Sequence, residues 1–400
     1  MFKHRWQPDN GDSVTDPSVP THDPVVVATE LAAKIAARSR HVCVLLGAGS
    51  SCAGGLPDVN TLLKLVLDRL QAESRALADP LYEGRNLEEG LSRLRRIRSL
   101  LTGIEEFAGF TQTTAAALES EIVAAIITEL ESPAPKLEAS SAFASWAAGE
   151  FYTRPIEIFT VNYDLLLEMG LEQAGASYFD GFVGVLNAQF RPDLIEPRTG
   201  ENDETLPSSF VRLWKLHGSL NWLIAKDGAV VRTGAPVRQS NMAAIYPSDE
   251  KYDESRRVPF VVLHDRFRRA LAEPETLTFI SGYSFGDAHL NEVILDSARR
   301  YPRSEIVVFC YAAIPAELNT SILQNLTILA PTEAIISGDR LPWCDPTGPT
   351  SAEIWSDSKF RLGDFSALAR FLAKSRRAEG LRGYVSEQSE SDAETGKTGG

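Results

Sequence analysis

Apolar residues fall along this chain in two rhythms. Val42 to Leu46, Ile156 to Val161, Leu277 to Ser281 and Ile306 to Phe309 are short, largely apolar runs of strand length, as parallel strands buried on both faces require. Elsewhere the apolar positions recur at helical spacing. Val25 to Ser39 carries Leu31, Ile35 and Ala36 on one side, and a second helix is expected from about Asn60, where Leu62, Leu63, Val66, Leu67 and Leu70 share a face. The helical rhythm persists from Thr61 to about Gly149, with breaks expected around Asp79 to Arg85 and at Ser132-Pro133-Ala134-Pro135. It reads as an inserted helical layer. Asn221 to Pro259 holds short strand-like pieces with Ala225-Lys226-Asp227-Gly228 as a hairpin tip, and Phe365 to Ala378 reads as a closing amphipathic helix. Met1 to Pro24 is polar and proline-bearing, without periodicity, and reads as a flexible arm; residues 381–400 read as a disordered acidic tail.

The strand-like runs stop at glycine or at polar residues. Gly47-Ala48-Gly49-Ser50-Ser51 follows the first run, and glycines there allow backbone amides to approach a phosphate closely. Tight strand-to-helix turns need glycine for geometry alone, and Cys52 stands where the ordinary dinucleotide fingerprint has its last glycine. Asn162-Tyr163-Asp164 follows the second run, at the strand end where open α/β sheets place ligands. Asn162 and Asp164 are equally suited to capping the next helix. In Trp214-Lys215-Leu216-His217-Gly218-Ser219, the glycine after His217 lets the chain turn and leave the imidazole facing a cleft. Gly282 to Asp287 opens a helix running through Arg300.

These segments, in this order, resemble the motifs of a known family. GAGSSCAGGLPD is similar to the sirtuin nucleotide loop, with Gly47, Ala48, Gly49, Ser51, Gly55, Pro57 and Asp58 in register and Asn60 in place of the family arginine. TVNYD resembles the sirtuin TQNID, KLHGS resembles the sirtuin LHGS, and GYSFGDAHLN fills the place of the G-[TS]-S motif in the form found in bacterial sirtuin-like defence NADases. The resemblance implies a doubly wound, Rossmann-like parallel sheet with an inserted helical subdomain at about 61–149, all within a catalytic domain at 25–380 and with NAD across the strand tips. It implies Asn162, His217 and Asp164 as catalytic residues, and Gly47, Ala48, Gly49, Ser51, Pro57, Asp58, Asn60, Gly282, Ser284 and Asp287 as NAD-binding ones. An amide such as Asn162 can hold the ribose or a water, an imidazole such as His217 can take a proton, and Asp164 can hold the nicotinamide carboxamide or balance positive charge.

Composition narrows the activity. A sirtuin deacylase carries a four-cysteine zinc module, whereas Cys43, Cys52, Cys310 and Cys344 are far apart and form no CxxC pair, so no zinc ribbon and no metal are expected. No match to the peptide-binding FGE segment is evident. Water is then the expected nucleophile, and the expected reaction is cleavage of NAD to nicotinamide and ADP-ribose; the resemblance to the defence NADases implies NAD depletion in antiphage defence as its output. A protein deacylase or ADP-ribosyltransferase, and a non-enzymatic NAD or ADP-ribose sensor, stay open.

The formal net charge of −14 argues against nucleic-acid binding across the surface. No segment reads as a signal peptide or a membrane span, so a cytoplasmic setting is expected. The Arg93-Leu94-Arg95-Arg96-Ile97-Arg98 run is either a solvated helix face or a contact for an acidic partner. Ile122, Val123, Ile126, Ile127 and Leu130 crowd one segment, which suggests burial between subunits of a homo-oligomer or simple cover for the sheet. Resemblance to the defence NADases adds a HerA-type hexameric ATPase as an expected partner.

Overall fold

The computed structural model describes residues 20–375 apart from 104, 132–133, 150–151, 196–209, 238–241, 245–257 and 320–322. Most of the expected N-terminal arm and the acidic tail lie outside the described residues. Within the arm's end, His22 pairs with Trp343 and Pro24 already opens a helix capped by Asp23.

The described strands are β1 (Val42–Leu46), β2 (Glu157–Thr160), β3 (Tyr178–Phe179), β4 (Phe182–Val183), β5 (Asn187–Phe190), β6 (Val211–Lys215), β7 (Gly218–Ile224), β8 (Val230–Thr233), β9 (Met242–Ala244), β10 (Leu277–Ser281), β11 (Glu305–Phe309), β12 (Leu326–Leu329), β13 (Glu333–Ile336), β14 (Asp339–Pro342), β15 (Trp355–Ser356) and β16 (Lys359–Phe360). Among the described residues the centre is a nine-stranded sheet in the order β14-β13-β12-β11-β10-β1-β2-β6-β3. Its strands from β12 to β3 are parallel, and β13 and β14 close one edge as an antiparallel hairpin. β1 is followed by β2 on one side and flanked by β10 on the other, so the strand order reverses at β1. A sheet of this kind is the doubly wound α/β architecture, whose ligand crevice lies at that reversal.

The helices are α1 (Pro24–Ala36), α2 (Ala48–Cys52), α3 (Val59–Arg69), α4 (Ala72–Tyr82), α5 (Leu87–Leu100), α6 (Gln112–Leu130), α7 (Glu138–Ala147), α8 (Leu166–Gln173), α9 (Phe260–Ala272), α10 (Ala288–Arg300) and α11 (Phe365–Ser375). Alternate residues of each strand face opposite layers. Val42, Val44 and Leu46 join α1, α7, α8 and α11 on one side, while Cys43 and Leu45 join Phe159, Trp214, α9 and α10 on the other. Helices α3 to α6 share a separate core, closed by Leu56, Leu166 and Leu220.

Of the stretch 61–149 expected as a helical insertion, α7 packs on the sheet, with Phe143 and Trp146 in the sheet's own core. The break expected around Asp79 to Arg85 falls in the later part of that range, since α4 runs on to Tyr82 with Pro80 inside it. Ile122, Val123, Ile126, Ile127 and Leu130 are all buried within the chain's own helical core, so they offer no apolar face to a second subunit. In the arginine run, Arg95 and Arg98 turn to the buried Glu119 of α6. No described helix is long and apolar enough to cross a membrane.

Candidate active site at the strand tips

Register brings the four polar segments together. Leu46 is level with Ser281 on one side and Thr160 on the other, and Thr160 is level with Lys215. The residues that follow, at Gly47, Asn162, His217 and Gly282, thus leave the same edge of four adjacent parallel strands.

The glycine turn is not an open loop. Gly47 caps the short helix α2, and its N–H donates to the Ser281 carbonyl at 3.0 Å while Gly49 N–H donates to the Gly282 carbonyl at 2.9 Å. A Cβ on Gly47 would lie 2.5 Å from Gly282 O, and one on Gly49 would lie 2.7 Å from Gly282 Cα. Gly282 itself has φ +65°, a left-handed conformation that suits glycine. The glycines thus let two backbones cross, and the amides of Gly47 and Gly49, expected to face a ligand, are held by carbonyls of the neighbouring strand end.

Asn162 is clamped against this turn. Its Nδ2 donates to Gly47 O at 2.9 Å and lies 3.1 Å from Ser50 Oγ and 2.8 Å from Ser51 Oγ. Its main-chain N–H donates to Thr160 Oγ1, which in turn donates to the Leu46 carbonyl. The amide nitrogen is thereby directed inward, and among the described residues nothing donates to Oδ1. Asp164 Oδ1 accepts from Leu166 N–H at the start of α8, as a capping residue would, and Oδ2 accepts from Ser51 Oγ at 2.6 Å. Lys215, buried at the end of β6, holds this segment from below through the carbonyls of Asp164 and Tyr163 and the Glu168 carboxylate at 2.9 Å. Burial raises the Glu168 carboxyl, and the Lys215 charge opposes the rise. Sequence reasoning passed over Lys215, although a lysine within a buried run was the available signal.

His217 follows β6, and Gly218, at φ +88°, reverses the chain into β7. Its Nε2 lies 3.3 Å from Asp287 Oδ2, with both side chains about one-tenth exposed, yet the pair is not aligned as a hydrogen bond. The His264 ring on α9 stacks on it with centroids 6.1 Å apart. Asp287, expected among the NAD-binding residues, thus sits against the candidate base while its Oδ1 caps α10.

The remaining expected contacts are more peripheral. Asp58 caps α3 through Thr61 N–H at 2.8 Å, Asn60 and Ser284 are exposed, and Ala48 and Pro57 are half-buried. Burial pushes the Cys52 thiol up, and the charges of Asp58 and Asp164 act the same way, which places all three in one neighbourhood. A small cleft beside α2, lined by Ser51, Lys136, Ser140 and Phe365 among others, includes neither Asn162 nor His217.

At the opposite edge of the sheet, His41, Cys43 and Glu157 place potential metal-ligand atoms within 4.8 Å of one another. The Glu157 carboxylate already accepts from His41 Nε2 at 2.9 Å, Trp214 Nε1 at 2.7 Å and Arg266 Nε at 2.8 Å, and from a second Arg266 nitrogen. The Glu157 carboxylate is thus already engaged by the Arg266 guanidinium.

The decisive sequence comparison falls on the same tips. Residues 156–328 match the family model of the SIR2-like domain. The match spans less than half of the chain and takes in Asn162, Asp164, His217, Gly282, Ser284 and Asp287, while the glycine turn at Gly47 lies outside it. A solved Sir2 homologue, a mutant in complex with ADP-ribose, is 15% identical, covering 70% of this chain and 83% of its own, with a TM-score of 0.32. No curated protein matches the chain. The SIR2-like stretch thus carries Asn162, Asp164, His217 and Asp287, residues at or beside the ends of the parallel strands.

Proposed function

We propose that the protein is an NAD glycohydrolase, giving nicotinamide and ADP-ribose. The observation that carries this reading is the level register of β10, β1, β2 and β6, which sets Gly282, Gly47, Asn162 and His217 side by side at the strand reversal. Nicotinamide leaves the pyridinium as a neutral ring, so the chemistry demands a stabilised cationic sugar and a placed nucleophile more than an acid. Asn162, with Nδ2 turned inward, presents Oδ1, an acceptor suited to orient a water or ribose hydroxyl. His217 takes the proton as the water oxygen bonds to the anomeric carbon: NAD and water become nicotinamide, ADP-ribose and one proton. Asp164, tied to Ser51 and Leu166, keeps Asn162 in position and adds negative charge behind the sugar.

Gly47, Ala48, Gly49, Ser51, Pro57, Asp58, Asn60, Gly282 and Ser284 are proposed to surround the nucleotide, and no metal takes part. The order of motifs resembles that of antiphage NADases, so we place this activity in NAD depletion in an infected cell, by a cytoplasmic homo-oligomer paired with a HerA-type ATPase. Incubating the purified protein with NAD, with and without an acyl-lysine peptide, tests the reading. Nicotinamide and ADP-ribose forming without peptide is the expected result. Peptide-dependent turnover would favour a deacylase, and NAD bound but unconsumed would favour a sensor; either overturns the proposal.

A further inference from the structure

We propose that Asp287 is the carboxylate that orients His217, accepting its Nε2–H and leaving Nδ1 as the nitrogen that receives the proton from water. The inference deepens the NAD-cleavage reading and rests on it for the role of Nδ1. Among the described residues Asp164 and Asp287 are carboxylates at the strand tips, and Asp287 is the one within reach of the His217 ring. Asp164 uses one oxygen for Leu166 N–H and the other for Ser51 Oγ. Asp287 uses Oδ1 for the amides of His289, at 2.9 Å, and Leu290, at 3.3 Å, and turns Oδ2 toward His217 Nε2, 3.3 Å away.

The segment that carries Asp287 is held firmly. Tyr283 Oη donates to the Asp287 carbonyl at 3.2 Å and contacts Asn291 Oδ1 at 3.0 Å, and Asn291 Nδ2 donates to the Phe285 carbonyl at 2.7 Å. On the other element packed against the ring, α9, the group facing His217 is His264. Among the described residues His217 Nε2 is buried with no aligned hydrogen-bond partner, and a small rotation would bring it onto Asp287 Oδ2. Catalytic hydrogen bonds are often loose before the substrate arrives. A carboxylate on one ring nitrogen fixes which tautomer is present and therefore which nitrogen is basic.

The substitution Asp287→Asn separates orientation from helix capping, because asparagine caps a helix about as well as aspartate. With Oδ1 kept on the α10 amides, the variant's Nδ2 faces His217, and a donor there forces Nε2 to accept. Nitrogen-15 spectra of histidine-labelled full-length protein, recorded where the ring is neutral, read this directly; the His217 signal among the six histidines is the one lost in His217→Gln. The expected result is an Nε2–H tautomer in the wild type and an Nδ1–H tautomer in Asp287→Asn. That variant should also show kcat for nicotinamide release lower by about a hundredfold, with KM and the melting temperature nearly unchanged. Asp287→Ala removes the cap as well and should lower the melting temperature by a few degrees. An Nδ1–H tautomer in the wild type, or a tautomer and kcat that Asp287→Asn leaves unaltered, overturns the proposal. The tautomer can be read without turnover, so a wild type inert toward NAD would defeat the functional reading while the inversion still showed Asp287 orienting the ring.

Discussion

Two buried histidine–carboxylate pairs stand at opposite edges of one sheet. At the N-terminal edge, Glu157 is 2% exposed and four donors converge on it from His41, Trp214 and Arg266, while the other nitrogen of His41 meets Thr276 Oγ1 at 3.2 Å. At the C-terminal edge, His217 and Asp287 are close but unaligned, and Asn162 Oδ1 has no donor among the described residues. A saturated buried cluster fixes the packing around it, whereas an atom unpaired among the described residues beside a ligand crevice, as His217 Nε2 is, keeps its hydrogen-bonding capacity for something else. Substitutions at the first edge should therefore cost stability, and at the second, turnover.

The largest stability effect is expected at Glu157. Glu157→Gln strands the Arg266 charge in a mostly buried place, and breaking such a pair costs about 3–5 kcal/mol. Urea unfolding measures this, and nicotinamide release per folded molecule should persist. A loss under about 1 kcal/mol, typical of an exposed pair, would erase the contrast between the edges.

The same cluster sets a pH dependence. Burial alone would raise the Glu157 carboxyl, but His41 and Arg266 outweigh it and hold it well below the ordinary value of 4.5. Burial alone would lower His41, but Cys43 and Glu157 outweigh it and raise the imidazole from 6.5 to about 10. The carboxylate's contribution is complete above pH 4.5 and lost as the pH falls toward its depressed value; the imidazole's is complete below pH 6.5 and lost as the pH rises through about 10. Melting temperatures of the wild type, compared with Glu157→Gln, should show this added stability at its fullest between those limits. A difference that does not vary with pH would contradict the assignment.

Metal analysis is a sharper probe of the saturated edge. With Arg266 already on Glu157, the purified protein should carry no stoichiometric metal at His41, Cys43 and Glu157, and chelators should leave its melting temperature unchanged. The smallest effect is expected at Ser51→Ala, which removes a neutral hydroxyl from Asp164: about 1 kcal/mol of stability and a modest loss of turnover.

Much of this division was legible in the chain. Leu277–Ser281 is a strand as the apolar run indicates, and the polar segments do leave the strand tips. What periodicity could not show is which backbone groups meet. Gly47 and Gly49 suit either a phosphate or a crossing chain, and only the register of β1 with β10 shows the crossing with Gly282. The nearness of Asp287 to His217 could not be read from the chain because the two are distant in sequence. The hairpin of β13 and β14 was missed because the strands are short, although Ser337-Gly338, both at positive φ, is a turn signal present in the sequence. Helix α7 read as part of the insertion because helical spacing does not reveal which layer a helix joins.

The most direct test of the account is nicotinamide release by His217→Ala and Asn162→Ala beside the wild type, with unfolding followed on the same samples. His217→Ala should lower turnover about a hundredfold or more while its stability stays within about 1 kcal/mol of wild type, because His217 Nε2 has no aligned partner to lose. Asn162→Ala should lose turnover as well, together with about 1–3 kcal/mol, since it takes a donor away from Gly47 and Ser51. Near wild-type turnover in both variants would contradict the account.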